Sequence, residues 1–426
     1  MTTFRALLAS CCLAWTLAGC AGWRSVAQST PAAAPIAPAP APLVLVSLDG
    51  FHPDWLDPAA TPHLARLARE GVSAAMRPSY PSLTFPNHYT VVTGRRPDRH
   101  GIVHNIMRDP ALGRFANSDP EAVGDGRWWQ EGEPLWVTAE KAGLRTATYF
   151  WPGSEAAVHG VRPSRWKRYD GTIPAQARVD EVLAWLDAPA AARPRFVTLY
   201  FGMVDEAVHD HGPDSAQARA AIAAVDAALG RLVAGLETRG LLDAVHLVVV
   251  SDHGMAAVPP TQVLALEDMV DPADAEWVTY GQVLGFVPRA GREAAAEAAL
   301  LGTHRGYACW RREALPARWH YGTHRRVPPI VCQTEEGWDA LPRARLAQRP
   351  ATVRGSHGYD PALASMRALF VARGPALRAG ATLLVFDNVH VYPLLARLLG
   401  VDPLAGDWDR CVLAGALREP VAGCGR

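Results

Sequence analysis

Five short apolar runs, separated by helical patterns, constrain the fold of this chain more than any other feature. They cover Leu43 to Leu48, Thr146 to Phe150, Arg195 to Phe201, His246 to Val250 and Ala368 to Val371. Each is nearly continuous rather than alternating, as expected of strands covered on both faces. Helical patterns lie between them. In the clearest, Ser215 to Leu236, the residues Ile222, Val225, Leu229, Leu232 and Leu236 recur at helical spacing. Ser215 suits its N-cap. This order of elements predicts an α/β fold, a doubly wound, mostly parallel sheet with helices on both faces. The stretch from about 256 to 350 breaks the pattern and reads as an insertion or cap. The chain has 426 residues, 49% of them apolar. That is enough for one large domain over 43–426.

The N-terminus reads as a targeting segment. Arg5 precedes an apolar run from Ala6 to Leu17, too short to span a membrane. The tetrad Leu17-Ala18-Gly19-Cys20 resembles a bacterial lipobox, in which the cysteine is lipidated. An ordinary cleaved signal peptide is the alternative. The expectation is a lipoprotein signal over 1–20 and an Ala/Pro-rich tether over 21–42. The protein would be exported to the periplasm and anchored by lipid at Cys20, with Ala21 pointing to the outer membrane. Cys309, Cys332, Cys411 and Cys424 then remain, an even set that suggests two disulfides. Of three pairings, the sequence-local one is favoured. None of the four has the C-x-x-C spacing of a cysteine zinc site. Lys plus Arg and Asp plus Glu both total 42, which argues against a nucleic-acid scaffold as partner.

In open α/β sheets, functional groups gather beyond the carboxyl ends of the strands. Four such places carry metal-type ligands. Asp49 and Gly50 follow the first run, where a turn is the plainer reading. Asp205 and His209 follow the third, four residues apart and on one face of a helical turn. His211 competes with His209. Asp252, His253 and Gly254 follow the fourth run. His357 stands between Gly355 and Gly358 near the C-terminal end. Together they supply three Asp and three His, enough for two metal ions with three protein ligands each. Such sites leave an open position, as catalytic zinc requires. Two ions can clamp a phosphoryl group during in-line displacement.

A nucleophile is expected nearby. Pro81 and Pro86 bracket a turn entering a predicted helix, Asn87 to Thr93. Thr84 would lie at its N-terminus, where free N–H groups favour an anion. Helix capping is its plainer role, and Ser79 and Ser82 are rival hydroxyls.

These residues, in this order, resemble the nucleotide pyrophosphatase/phosphodiesterase family of the alkaline phosphatase superfamily. The matching strings include Val46-Ser-Leu-Asp49-Gly-Phe51, Pro81-Ser-Leu-Thr84-Phe-Pro-Asn-His88, Thr93 to Asn105, Asp205 to Pro213, Ser251-Asp-His-Gly-Met255 and Ser356-His-Gly-Tyr359. The resemblance implies two zinc ions, one on Asp205, His209 and His357, the other on Asp49, Asp252 and His253. It makes Thr84 the nucleophile and second-zinc ligand of a phosphothreonine mechanism. It gives Asn105 a phosphate oxygen to bind, and Phe85, Tyr169 and Tyr200 a nucleobase or other substrate group. Val208 stands where members often have Gly. The implied activity is hydrolysis of phosphate diesters or pyrophosphates of small-molecule substrates, releasing a nucleoside monophosphate.

The rival readings are a phosphomonoesterase, a choline-lipid phosphodiesterase and a non-catalytic surface lipoprotein. Monoesterases of the superfamily need extra positive charge, yet Phe85, not Arg, follows Thr84. A sulfatase-type C-x-P-x-R string is absent there. The complete ligand set argues for catalysis.

Overall fold

The computed structural model describes residues 41–424; the signal, lipid-anchor and most of the tether expectations fall on residues outside that range. The five apolar runs join one nine-stranded sheet. Its main strands are β1 (Leu43–Leu48), β2 (Val72–Arg77), β3 (Thr146–Tyr149), β4 (Phe196–Phe201), β5 (His246–Val250) and β6 (Ala368–Arg373). They lie in the order β2-β6-β5-β1-β4-β3, with short strands Ala381–Thr382 and Arg165–Trp166 outside them. β1 is parallel to both β4 and β5, and β3 is parallel to β4. β6 runs antiparallel to β2 and β5. The sheet is therefore mixed. A continuous apolar run reads the same in either direction, so the sequence pattern does not reveal this reversal.

Every residue of β1 is buried, and its neighbours divide between two cores. Leu43 and Leu45 join one apolar cluster with Trp136 and Tyr392. Val44, Val46 and Leu48 join another with Ile222, Val225, Leu229, Leu232 and Leu236. That two-sided covering is why the strand does not alternate. The long helix runs from Ala216 to Thr238, and the Ser215 hydroxyl caps it by accepting from Ala218 N at 3.0 Å. Burying each of its apolar side chains contributes roughly 1.5–3 kcal/mol.

Two boundaries differ from expectation. The helix labelled α1 spans Thr84–Thr93 and starts three residues earlier than the sequence suggested. Pro86 does not delay it, because first-turn N–H groups have no intrahelical acceptor and proline loses nothing there. Phe150 falls outside β3 and has φ 61°, a left-handed turn just beyond the strand.

The stretch after β5 is more regular than its sequence. It holds a five-stranded antiparallel sheet of Ala275–Thr279, Val283–Pro288, Ile330–Thr334, Tyr307–Arg311 and Gly302–His304. Leu284, Phe286, Ile330 and Leu300 form a separate core beneath it. Short strands broken by turns give no sustained period, which hid the sheet. Cys309 and Cys332, directly opposite on neighbouring strands, form one disulfide; Cys411 and Cys424 form the second. The chain leaves for this sheet through Ala256–Val258 and returns through Arg354–Ser356, which pair antiparallel. Among the described residues, no helix is long and apolar enough to cross a membrane.

Candidate active site

The carboxyl ends of β1, β4 and β5 meet at one cleft. Register explains the first contact: Ser47 pairs with Val250, so Asp49 and Asp252 emerge side by side. Gly50 then turns the chain at φ 68°, a conformation that suits glycine, and its N–H donates to Asp252 Oδ1 at 3.2 Å. β4 leads into α2 (Met203–His211), whose four-residue spacing sets Asp205 and His209 on one face. His209 Nε2 lies 3.5 Å from Asp205 Oδ1, whereas His211 is exposed. His357 follows the returning strand of the neck. Gly355 lets that strand approach α2 closely: a Cβ there would lie 2.5 Å from the Val208 carbonyl. Val208 is itself fully buried, so its side chain is accommodated in the core.

The six strand-end candidates form two adjoining groups. His209 and His357 Nε2 lie 3.5 and 3.6 Å from Asp205 Oδ1. His253 Nε2 lies 2.9 Å from Asp252 Oδ2 and 3.6 Å from Asp49 Oδ1. The His253 and His357 rings stack at 3.5 Å and join the groups. Distance alone also gathers Asp205, His253 and His357 within 4.8 Å, and likewise Asp49, His88 and Asp252. Hydrogen bonding decides against His88 as a ligand. Its Nδ1 contacts the Thr84 carbonyl at 2.9 Å, and its Nε2 contacts Ser47 Oγ at 2.7 Å, so both ring nitrogens are engaged.

The other three histidines likewise engage a carbonyl at Nδ1, but turn Nε2 toward the carboxylates. Nδ1 of His209 donates to the Gly355 carbonyl, Nδ1 of His253 to the Gly254 carbonyl, and Nδ1 of His357 to the Ser82 carbonyl, at 2.9, 3.0 and 2.9 Å. A carbonyl only accepts, so each Nδ1 carries hydrogen and each Nε2 keeps its lone pair toward the carboxylates. Asp49 Oδ1, Asp205 Oδ1 and Asp252 Oδ2 are buried and accept no hydrogen bond from the described residues. Three orphaned carboxylate oxygens facing three oriented imidazoles fit divalent cations.

The electrostatics agree. Burial, with repulsion from Asp252 and Asp205, raises the Asp49 carboxyl well above its ordinary range. Burial, against the attraction of His253, raises Asp205 to about 7. Burial opposes a charge on His253, but Asp252 and Asp49 outweigh it and raise the imidazole to about 9. The residues by themselves thus need added positive charge, which a divalent cation would supply.

Thr84 is the first residue of α1, and its Oγ1 lies 3.3 Å from His253 Nε2. Asn105 Oδ1 accepts from Phe85 N at 2.9 Å, which leaves the amide NH2 as the free donor beside the helix N-terminus. A cleft of about 460 Å³ opens from Asp49, Thr84 and Asp205 toward Phe85, Tyr169 and Tyr200. Tyr169 is 48% exposed at its rim. Tyr200 also gives its hydroxyl to Asp49 Oδ2 at 2.5 Å, so it acts on a ligand as well as lining the cleft.

Sequence reasoning missed His88 and Trp151. His88 follows Thr84 by four residues and hence shares its helix face, a readable signal. Trp151 donates from Nε1 to the His88 carbonyl at 3.1 Å and lines the cleft. It follows a strand end as the ligands do, but carries no metal-type donor to mark it.

A family model described as type I phosphodiesterase / nucleotide pyrophosphatase matches residues 43–360. An uncharacterized pyrophosphatase/phosphodiesterase of Schizosaccharomyces pombe is 34% identical over 84% of this chain and 76% of its own. Ectonucleotide pyrophosphatase/phosphodiesterase family member 1 of Rattus norvegicus is 33% identical over 89% of this chain, which spans only 43% of that relative. Among solved structures, murine ectonucleotide pyrophosphatase/phosphodiesterase 5, as an inactive variant in complex with AMP, is 32% identical with a TM-score of 0.83, covering 88% of this chain and 100% of that one. The human protein gives 30% and 0.84, covering 89% and 100%. The family match runs from the first strand past the segment bearing His357, and the chain belongs to the type I phosphodiesterase / nucleotide pyrophosphatase family.

Proposed function

We propose that this chain is a two-zinc phosphodiesterase that cleaves nucleotide diesters or pyrophosphates through a phosphothreonine. One observation carries the reading: Thr84 Oγ1 lies 3.3 Å from His253 Nε2, at a helix N-terminus and at the mouth of a nucleotide-sized cleft. Asp205, His209 and His357 would hold one zinc, and Asp49, Asp252 and His253 the other. Bound there, the zinc pair supplies Lewis acidity for the nucleophile, the leaving oxygen and the hydrolytic water.

The protein's own groups do the rest. The Thr84 hydroxyl oxygen attacks phosphorus and passes its proton to water, while the opposite P–O bond breaks and the leaving oxygen keeps its electron pair. Water then attacks the phosphothreonine, returns the hydroxyl to Thr84 and releases a phosphate monoester. The Asn105 NH2 and the Thr84 N–H stabilise non-bridging oxygens where charge develops. Phe85 and Tyr169 offer faces for a base. The murine relative with AMP bound supports a nucleoside monophosphate as the retained portion.

The test compares the p-nitrophenyl ester of thymidine monophosphate, bis-p-nitrophenyl phosphate and p-nitrophenyl phosphate on protein lacking residues 1–42. Chelator-sensitive preference for the thymidine ester is expected. Preference for the monoester would mean a phosphomonoesterase. We further propose export and lipid anchoring at Cys20, with 21–42 as tether to the domain over 43–426. Cys20→Ala should abolish palmitate labelling; retained labelling would remove the anchor.

A further inference from the structure

A second cleft, of about 400 Å³, lies beside the segments that carry Thr84 and His357 but shares none of the catalytic residues. Arg77, Tyr80, Arg96, Arg318, Trp319 and Arg367 line it. Two carboxylates face these four guanidiniums. Asp387 is divided between Arg77 at 2.6 Å and Arg96 at 2.8 Å. Asp360 pairs with Arg318. Two positive charges remain in excess, and Arg367 makes no ion pair among the described residues.

Unmet hydrogen-bonding capacity gathers at the same place. Arg367 Nη1, Trp319 Nε1 and Tyr80 Oη are buried without partners. Tyr80 and Trp319 are 1% and 4% exposed and stack at 4.2 Å, so neither can swing out to find water. Buried polar groups are nearly always satisfied, and three orphans on residues that line one cleft call for an acceptor that the described residues do not supply. A cation is excluded by the surplus of guanidinium, and an apolar ligand would leave the donors unmet. A compact oxyanion meets both demands, because the guanidinium fork matches tetrahedral phosphate oxygens.

We propose that this cleft is a binding site for a dianionic phosphate group, with Arg367 as its principal ligand and Tyr80 and Trp319 as accessory donors. The occupant is free phosphate or the phosphate of a nucleoside monophosphate. The site adjoins the catalytic framework through two bonds. Ser82 Oγ donates to the Tyr359 carbonyl at 2.9 Å, and His357 Nδ1 donates to the Ser82 carbonyl at 2.9 Å. An anion held by Arg367 beside Tyr80 would therefore bear on both segments. The proposal stands independently of the reading of the catalytic cleft.

Inorganic phosphate titrated calorimetrically into the metal-loaded full chain tests it. Wild type should bind one phosphate more per chain than Arg367→Gln, or bind it at least about tenfold more tightly, as loss of a charged hydrogen bond implies. The ratio kcat/KM on the thymidine ester should stay within about twofold. Trp319→Phe, which keeps the stack and removes one donor, should weaken the same event by a smaller factor, so a folding failure of the first variant does not end the test. AMP in place of phosphate separates the sources: extra binding of AMP assigns a nucleotide-borne phosphate, and its absence beside phosphate binding assigns the free anion. Identical stoichiometry and affinity in wild type and both variants would overturn the site.

Discussion

The phenol of Tyr200 donates to Asp49 Oδ2 at 2.5 Å, which turns the other oxygen of Asp49 toward His253. Groups that hold a metal-ligating carboxylate in place affect metal affinity or activity by 10–100-fold when removed. Tyr200→Phe keeps the ring in the cleft and deletes only this bond. It should weaken zinc binding, measured by competition with a chelator, by about tenfold or more. Equal zinc affinity in the two proteins would show that Asp49 is held adequately by its strand-end position alone.

Thr84→Ala should reduce kcat by at least about a thousandfold while both metals stay bound, because backbone carbonyls at Nδ1 orient His209, His253 and His357 without the hydroxyl. Rapid acid quench of wild type during turnover should reveal a nucleotidyl mass on the peptide containing Thr84. Near-wild-type turnover of the alanine variant would transfer the nucleophile role to another group.

His357 and His211 separate a ligand from a bystander. His357 is buried with Nε2 3.6 Å from Asp205 Oδ1, whereas His211 is exposed. Metal analysis should therefore find one zinc fewer per chain in His357→Ala and no change in His211→Ala. The reverse result would redraw the first metal group.

Acid should destabilise the fold through two histidines outside the metal groups. Burial pushes His100 down to about 3 and His104 down to about 4, from an ordinary 6.5. The unfolded chain therefore takes up protons before the folded one, and stability falls as pH drops from 6.5 toward these values. Each histidine contributes a slope of about 1.4 kcal/mol per pH unit within its window. Urea midpoints between pH 6 and 4.5 should fall less steeply in His104→Gln than in wild type. Parallel curves would mean that His104 is protonated in the folded state.

The central sheet was legible because burial on both faces imposes a composition that needs no partner to recognise. The candidate ligands could be picked out because a buried strand ending in Asp or His has few structural uses. Direction was not: nothing in Ala368–Arg373 announces that β6 opposes its neighbours. The five-stranded sheet after β5 was lost because its strands are short and its core is closed by residues distant in sequence. Tyr200 was read as a ring for substrate, and its bond to Asp49 was invisible because it depends on β1 and β4 lying side by side. His88 could have been found from its spacing to Thr84, but the carbonyl and hydroxyl that occupy its nitrogens could not.

The paired strands Ala256–Val258 and Arg354–Ser356 form a neck through which the chain departs from the Asp252–His253 turn and comes back to His357. A ladder of backbone hydrogen bonds fixes the distance between those two strands regardless of how much chain lies beyond them. Evolution can therefore lengthen, shorten or replace what the neck encloses while the two ends stay in register. Descendants of such a chain could acquire new surfaces, and new molecules to meet there, without rebuilding the centre that does the chemistry.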